Sequence, residues 1–160
     1  MKKSVFALVA SIALASTPAL ADDTVVQTQR NWFAGPTIGS TWTQGSNLGF
    51  NGGYQINQYF AVEANYDHVF NQWGNSSIDL ATANVTLGYR IPRTKLTPYV
   101  LAGGGYQFQW NANQGVWNVG AGTKIELAKD SQMDVRYRYV QGMSNQQNEN
   151  VVTVGVSFKF

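Results

Sequence analysis

The sequence predicts an all-β fold, specifically an eight-stranded antiparallel up-and-down transmembrane β-barrel. Three observations carry that expectation. Apolar residues alternate with polar or small ones at period two, in blocks separated by clusters of Asn, Gln, Gly, Ser or Pro, as strands and turns require. Only 12% of the residues are charged, against about 25% in an ordinary soluble domain. Finally, the polar face of the blocks is mostly Gly, Asn, Gln, Ser and Thr, not the Lys and Glu that normally cover a water-facing sheet.

Residues 1–21 read as an export signal: Lys2 and Lys3, an apolar run over 5–15, then a small-x-small site at Ala19-Leu20-Ala21. The run is shorter than the roughly 20 apolar residues that a spanning helix needs. The mature chain is therefore expected to begin near Asp22, with one domain, the barrel, over 22–160. Of the 11 Lys+Arg, two belong to the signal, whereas none of the 9 Asp+Glu does, so the mature chain is formally neutral. A balanced charge gives no footprint for nucleic acid. With Cys 0 there is no disulfide or thiolate chemistry, and one histidine is too few for a metal centre, so no cofactor is expected.

The blocks fall at about 32–42, 47–56, 59–67, 78–90, 97–108, 116–127, 132–140 and 150–160. In the second, Leu48, Phe50, Tyr54 and Ile56 alternate with Asn47, Gly49, Asn51 and Gln55. The third sets Phe60, Val62, Ala64 and Tyr66 against Ala61, Glu63, Asn65 and Asp67; the fourth sets Ala81, Ala83, Val85 and Leu87 against Thr82, Asn84 and Thr86. The sixth sets Trp117, Val119, Ala121, Ile125 and Leu127 against Asn118, Gly120, Gly122, Lys124 and Glu126. The seventh opposes Met133, Val135, Tyr137 and Tyr139 to Asp134, Arg136 and Arg138, and the last opposes Val152, Val154, Val156, Phe158 and Phe160 to Thr153, Gly155, Ser157 and Lys159. Pro36 interrupts the first block, and Gly103-Gly104-Gly105 blurs the fifth, where Val100, Ala102, Tyr106 and Phe108 form the apolar face.

Alternation alone does not say which face points inward. The bulk of the apolar face decides it, because an eight-stranded barrel has an interior only wide enough for side chains, and small residues fit it. The apolar face then meets lipid, with Tyr54, Phe60, Tyr66, Tyr89, Phe108, Trp117, Tyr139 and Phe160 near block ends, like the aromatic girdles of membrane barrels. An even strand count puts both termini on one side, the periplasm for this class. Longer connections follow at 43–46, 68–77, 109–115 and 141–149, with tight turns near 57–58, 91–95 and 128–131.

Taken in order, these residues resemble the small eight-stranded outer-membrane barrels of Gram-negative bacteria, the OmpA/OmpX-like and opacity-protein-like group. The resemblance rests on the closing segment 151–160 with terminal Phe160, the stretch Thr97-Pro98-Tyr99-Val100-Leu101-Ala102-Gly103, the 134–139 strand with Arg136 and Arg138, and the signal. It implies residence in the outer membrane, among its lipid and lipopolysaccharide. It also implies recognition by the barrel-assembly machinery, through Val156, Phe158 and Phe160. The sequence ends at Phe160, so the peptidoglycan-binding domain that follows some family barrels is not expected.

The facing assignment sends Glu63, Lys124, Glu126, Asp134, Arg136 and Arg138 into the lumen as a charge network. Buried charges must pair, and the 6–7 hairpin suggests Glu126 with Arg136 and Lys124 with Asp134. Such a network is either a plug of paired side chains or a constriction that selects ions. His68 is expected to be a solvated loop-edge residue, since His68-Val69-Phe70 lacks the His-x-Ser of lipid A deacylases with this architecture. The leading expectation is thus a non-enzymatic structural or surface protein. A narrow porin is one alternative; an adhesin binding an unidentified host ligand is the other. Trp73 and Trp110 in the loops are expected to be upper girdle residues at the headgroups, with contact to a host or phage receptor as the alternative.

Overall fold

The structure, a computed structural model, describes residues 31–42, 45–70, 77–109, 113–144 and 148–160. The expected signal, Trp73 and Trp110 lie outside them. Eight strands, β1 Trp32–Thr41, β2 Gly45–Gln55, β3 Phe60–Val69, β4 Ile78–Gly88, β5 Leu96–Gln109, β6 Gln114–Ala128, β7 Ser131–Gly142 and β8 Asn148–Lys159, form one closed antiparallel barrel. Each strand pairs with its sequence neighbours, and β1 pairs with β8 to close the ring.

Closure comes with a stagger. From Lys159, ladder partners run through Phe33, Gly53, Glu63, Asn84, Gly103, Asn118 and Val140 and return to β8 at Glu149, ten residues from the start. Such a shear goes with strands tilted by about 35–45° to the barrel axis. The end where Trp32 N donates to Phe160 O is the near rim, and the opposite end is the far rim.

Burial follows the period of the sequence but with the sense of a membrane protein. Val85 is 52% exposed, whereas its neighbour Thr86 is 3% exposed. Ile38, Leu48, Phe50, Val62, Leu87 and Phe158 likewise stand outward, while Asn51, Asn65, Asn84, Asn118 and Thr153 are buried inside. Aromatic residues gather toward the rims, with Trp32 against Tyr54 and Tyr59 stacked on Tyr89 near one end, and Tyr106 against Phe108 near the other.

The two irregular blocks have physical explanations. Pro36 stays inside β1, where the ladder to β8 passes from Ala34↔Phe158 to Thr37↔Gly155 over the residue that has no N–H to donate. In β5 the glycine run serves the wall: a Cβ at Gly103 would collide with the Ala83 carbonyl oxygen and one at Gly105 with that of Ala81.

Arginine at the bilayer midplane on a lipid face costs about 2–4 kcal/mol. Val85→Arg and Val154→Arg are therefore expected to lose stability of that order in urea titrations of the vesicle-inserted barrel, with Thr86→Ser close to the parent. Equal tolerance at the two kinds of position would contradict the facing.

Candidate functional site in the barrel lumen

Alternate positions on a strand share a face, so Asp134, Arg136 and Arg138 of β7 all project into the lumen, and each is buried. Arg136 reaches across the ring to β3. Its Nη1 donates to Glu63 Oε1 at 2.5 Å and Asn65 Oδ1 at 2.8 Å, and its Nη2 to Glu63 Oε2 at 3.3 Å and to Asp134. Tyr99 of β5 donates its hydroxyl to Asp134 Oδ1 at 2.6 Å. Lys124 faces Asp134 across the β6–β7 ladder, with its ammonium 4.4 Å from the Phe33 ring centroid.

A second layer lies beyond the first. Arg138, 1% exposed, pairs through Nη2 with Asp67 Oδ2 at 2.5 Å, and Asp67 Oδ1 accepts from Asn47 Nδ2 at 3.0 Å. Gly120 is the ladder partner of Arg138, and a Cβ there would crowd the arginine stem. Three buried carboxylates, Glu63, Asp67 and Asp134, thus face three buried cations, Lys124, Arg136 and Arg138. Desolvation of an ion costs several kcal/mol unless partners and hydrogen bonds offset it, and here the charges cancel inside the wall.

Above these layers the lumen holds an apolar cluster beside a buried polar pair, Gln107 and Gln114, which face each other across the β5–β6 ladder. Leu80, Val116, Val140 and Val151 form one buried cluster toward the far rim, with Val116 at 0% exposure, and Val69 and Ile78 are buried at that end too. The small polar inner face read from the sequence is therefore interrupted by larger apolar side chains here, as it is by Phe33 and Leu101 closer to the near rim. Each cluster residue stands two positions from an inward polar one: Thr82, Asn118, Arg138 and Thr153. Extending the period by one more step would have revealed it.

The network differs in membership from the one expected. Glu126 sits at the near rim, not against Arg136; its ladder partner is Gln132, and a register shift between Glu126 and Ala128 marks the strand end. There it pairs with Arg90 Nη2 at 2.7 Å and Lys159 Nζ at 3.4 Å. Asp67, Tyr99 and Asn65 complete the lumen network but were not singled out in the sequence; their strand-face phase was the available signal. His68 belongs to β3 instead of a loop edge. Its Nδ1 lies 2.7 Å from Asp79 Oδ1, which also accepts from the Tyr66 hydroxyl at 2.7 Å. Val156, Phe158 and Phe160 run along the outer side of the closing strand to the near rim, where Phe160 is 64% exposed.

A closed eight-stranded ring with a lipid-facing apolar surface and a salt-bridged lumen defines a transmembrane barrel. The chain belongs to the outer membrane protein beta-barrel domain family, whose model matches residues 7–160. Among solved structures it is similar to the N-terminal β-barrel domain of Pseudomonas aeruginosa OprF, with 19% identity and a TM-score of 0.70 over 84% of this chain and 100% of that one. It is also similar to Neisserial surface protein A (15% identity, TM-score 0.67, 82% of this chain and 98% of that one). The outer membrane enzyme PagL shares the fold at 11% identity and a TM-score of 0.56, covering 80% of this chain and 99% of that one. No curated protein sequence matches.

Removing one partner of a buried pair costs about 3–5 kcal/mol. Arg136→Met strands Glu63 and Asp134, so a loss of that size is expected in urea titrations of the inserted barrel. Adding Glu63→Gln is expected to recover part of it, because one stranded charge is gone; a double variant no better than the single would contradict the coupling.

Proposed function

We propose that the chain is a non-enzymatic, structural barrel of the outer membrane whose lumen is shut. The observation that carries this reading is the stacking of two obstacles along one axis. Arg136 ties β7 to β3 through Glu63, and the cluster of Leu80, Val116, Val140 and Val151 lies beyond it. Conduction through a pore this narrow needs a wetted path, and apolar constrictions shed water. A paired, neutral network offers a passing ion no net charge to follow. Both features weigh against the porin reading.

Non-enzymatic is an inference from the site, since fold does not determine chemistry and PagL is an enzyme on the same architecture. The Asp79 carboxylate ties Tyr66 and His68 together on the outer wall, a rim brace between β3 and β4. The adhesin reading has little connecting chain to work with, because β7 and β8 take up Gln141, Gly142, Asn148 and Glu149.

On this account residues 1–21 direct export, the near rim faces the periplasm, and Val156, Phe158 and Phe160 present the signal read by the barrel-assembly machinery. Their outward placement on the closing strand supports that role. Lipid and lipopolysaccharide meet the outer wall. Pure protein in planar bilayers is expected to give no reproducible unitary currents; steady single-channel steps would overturn the closed-lumen reading.

A further inference from the structure

Charge beyond the buried lumen network is sorted by end. Among the described residues five cations, Arg90, Arg93, Lys95, Lys129 and Lys159, lie at the near rim with two carboxylates, Glu126 and Asp130. Toward the far rim the outer wall carries Asp79, Glu149 stands on the lumen-facing side of β8 opposite Val140, and there is no Lys or Arg on the outer wall among the described residues there. A polyanionic layer at the far end would find nothing basic to hold it. The near rim is a different surface.

Its cations sit where lipid headgroups begin. Glu126 gathers Arg90 of the β4–β5 turn and Lys159 of β8 around one carboxylate, and its N–H donates to the Lys95 carbonyl at 2.9 Å, fixing that turn against β6. Exposed Ile91, Leu96 and Leu127 flank the same turns, and the Tyr59–Tyr89 stack stands beside Arg90. Basic heads over apolar flanks are how side chains settle at a membrane surface.

The turn itself adds a second observation. Thr94 N donates to Ile91 O at 3.2 Å, with Pro92 and Arg93 between them, and Arg93 has φ 64. Pro followed by a left-handed residue is a type II turn, whose third position favours Gly. Here an arginine occupies it, exposed at the tip, although glycine would sit there without strain.

We propose that the near rim, chiefly Arg90, Arg93 and Lys95, is a binding surface for the phosphate of anionic phospholipid headgroups, with Ile91, Leu96 and Leu127 against the acyl chains. The apolar flanks favour lipid over a water-borne polymer, because short turns keep the cations at bilayer depth. The assignment to the periplasmic leaflet rests on the orientation proposed above.

The test is native mass spectrometry of the folded barrel in neutral detergent, offered equal amounts of phosphatidylglycerol and phosphatidylethanolamine with identical acyl chains. Phosphatidylglycerol adducts are expected to dominate, and Arg93→Gly with Lys95→Gln is expected to cut that preference roughly thirtyfold, each surface cation acting independently. The glycine keeps the turn, so heat-modified mobility on gels should match the parent. Equal adducts in the parent, or an undiminished preference in the variant, would overturn the proposal. So would loss of the preference to millimolar glycerol phosphate, which indicates a free-anion site, or retention of soluble peptidoglycan fragments in place of lipid. Orientation is read separately, by an impermeant maleimide on Gln58→Cys in intact cells. No labelling is expected, and labelling from outside would overturn the periplasmic placement while leaving the lipid result intact.

Discussion

Everything in this molecule follows from closing a sheet in a solvent that cannot hydrogen-bond. Lipid leaves each unpaired backbone N–H and C=O several kcal/mol out of pocket, so the chain must pair all of them within its own walls. The β1–β8 ladder removes the last two edges, and the shear that lets it form sets the strand tilt. Pro36 fits because the ladder passes over it; Gly103 and Gly105 of β5 fit because neighbouring carbonyls leave no room for a Cβ.

Closure also fixes what the inside must be. A ring of eight strands encloses little more than its own side chains, and any charge admitted there leaves water behind. The lumen answers with cross-ring pairs: Glu63 with Arg136 and Asp67 with Arg138, each joining β3 to β7. Such ties couple walls that share no ladder. The apolar cluster of Leu80, Val116, Val140 and Val151 continues the filling toward the far rim, alongside the hydrogen-bonded Gln107 and Gln114. Filling and sealing are here one consequence of the same narrow bore.

Much of this was legible in the sequence, for a physical reason. Lipid on one side and a crowded bore on the other force strict alternation, so the blocks around 59–67 and 78–90 match β3 and β4 to within two residues. What stayed hidden were contacts across the ring. Arg136 and Glu63 are 73 positions apart, and no hairpin arithmetic joins them; local register instead suggested Glu126, which belongs to the rim. The buried cluster was hidden because valine and leucine at block ends look like lipid-facing residues until the phase is carried through. Asp79 beside His68 was concealed by reading the end of β3, His68 and Val69, as loop.

The inverted facing is tested most directly by nitroxide labels on single cysteines placed along β4 in a chain that has Cys 0, with collision rates toward oxygen and a nickel chelate measured in bilayers. Labels at Ala81, Ala83, Val85 and Leu87 should meet membrane-dissolved oxygen freely, and those at Thr82, Asn84 and Thr86 should be shielded from it. Loss of that alternation, or its reversal, would contradict a barrel with its apolar side in lipid.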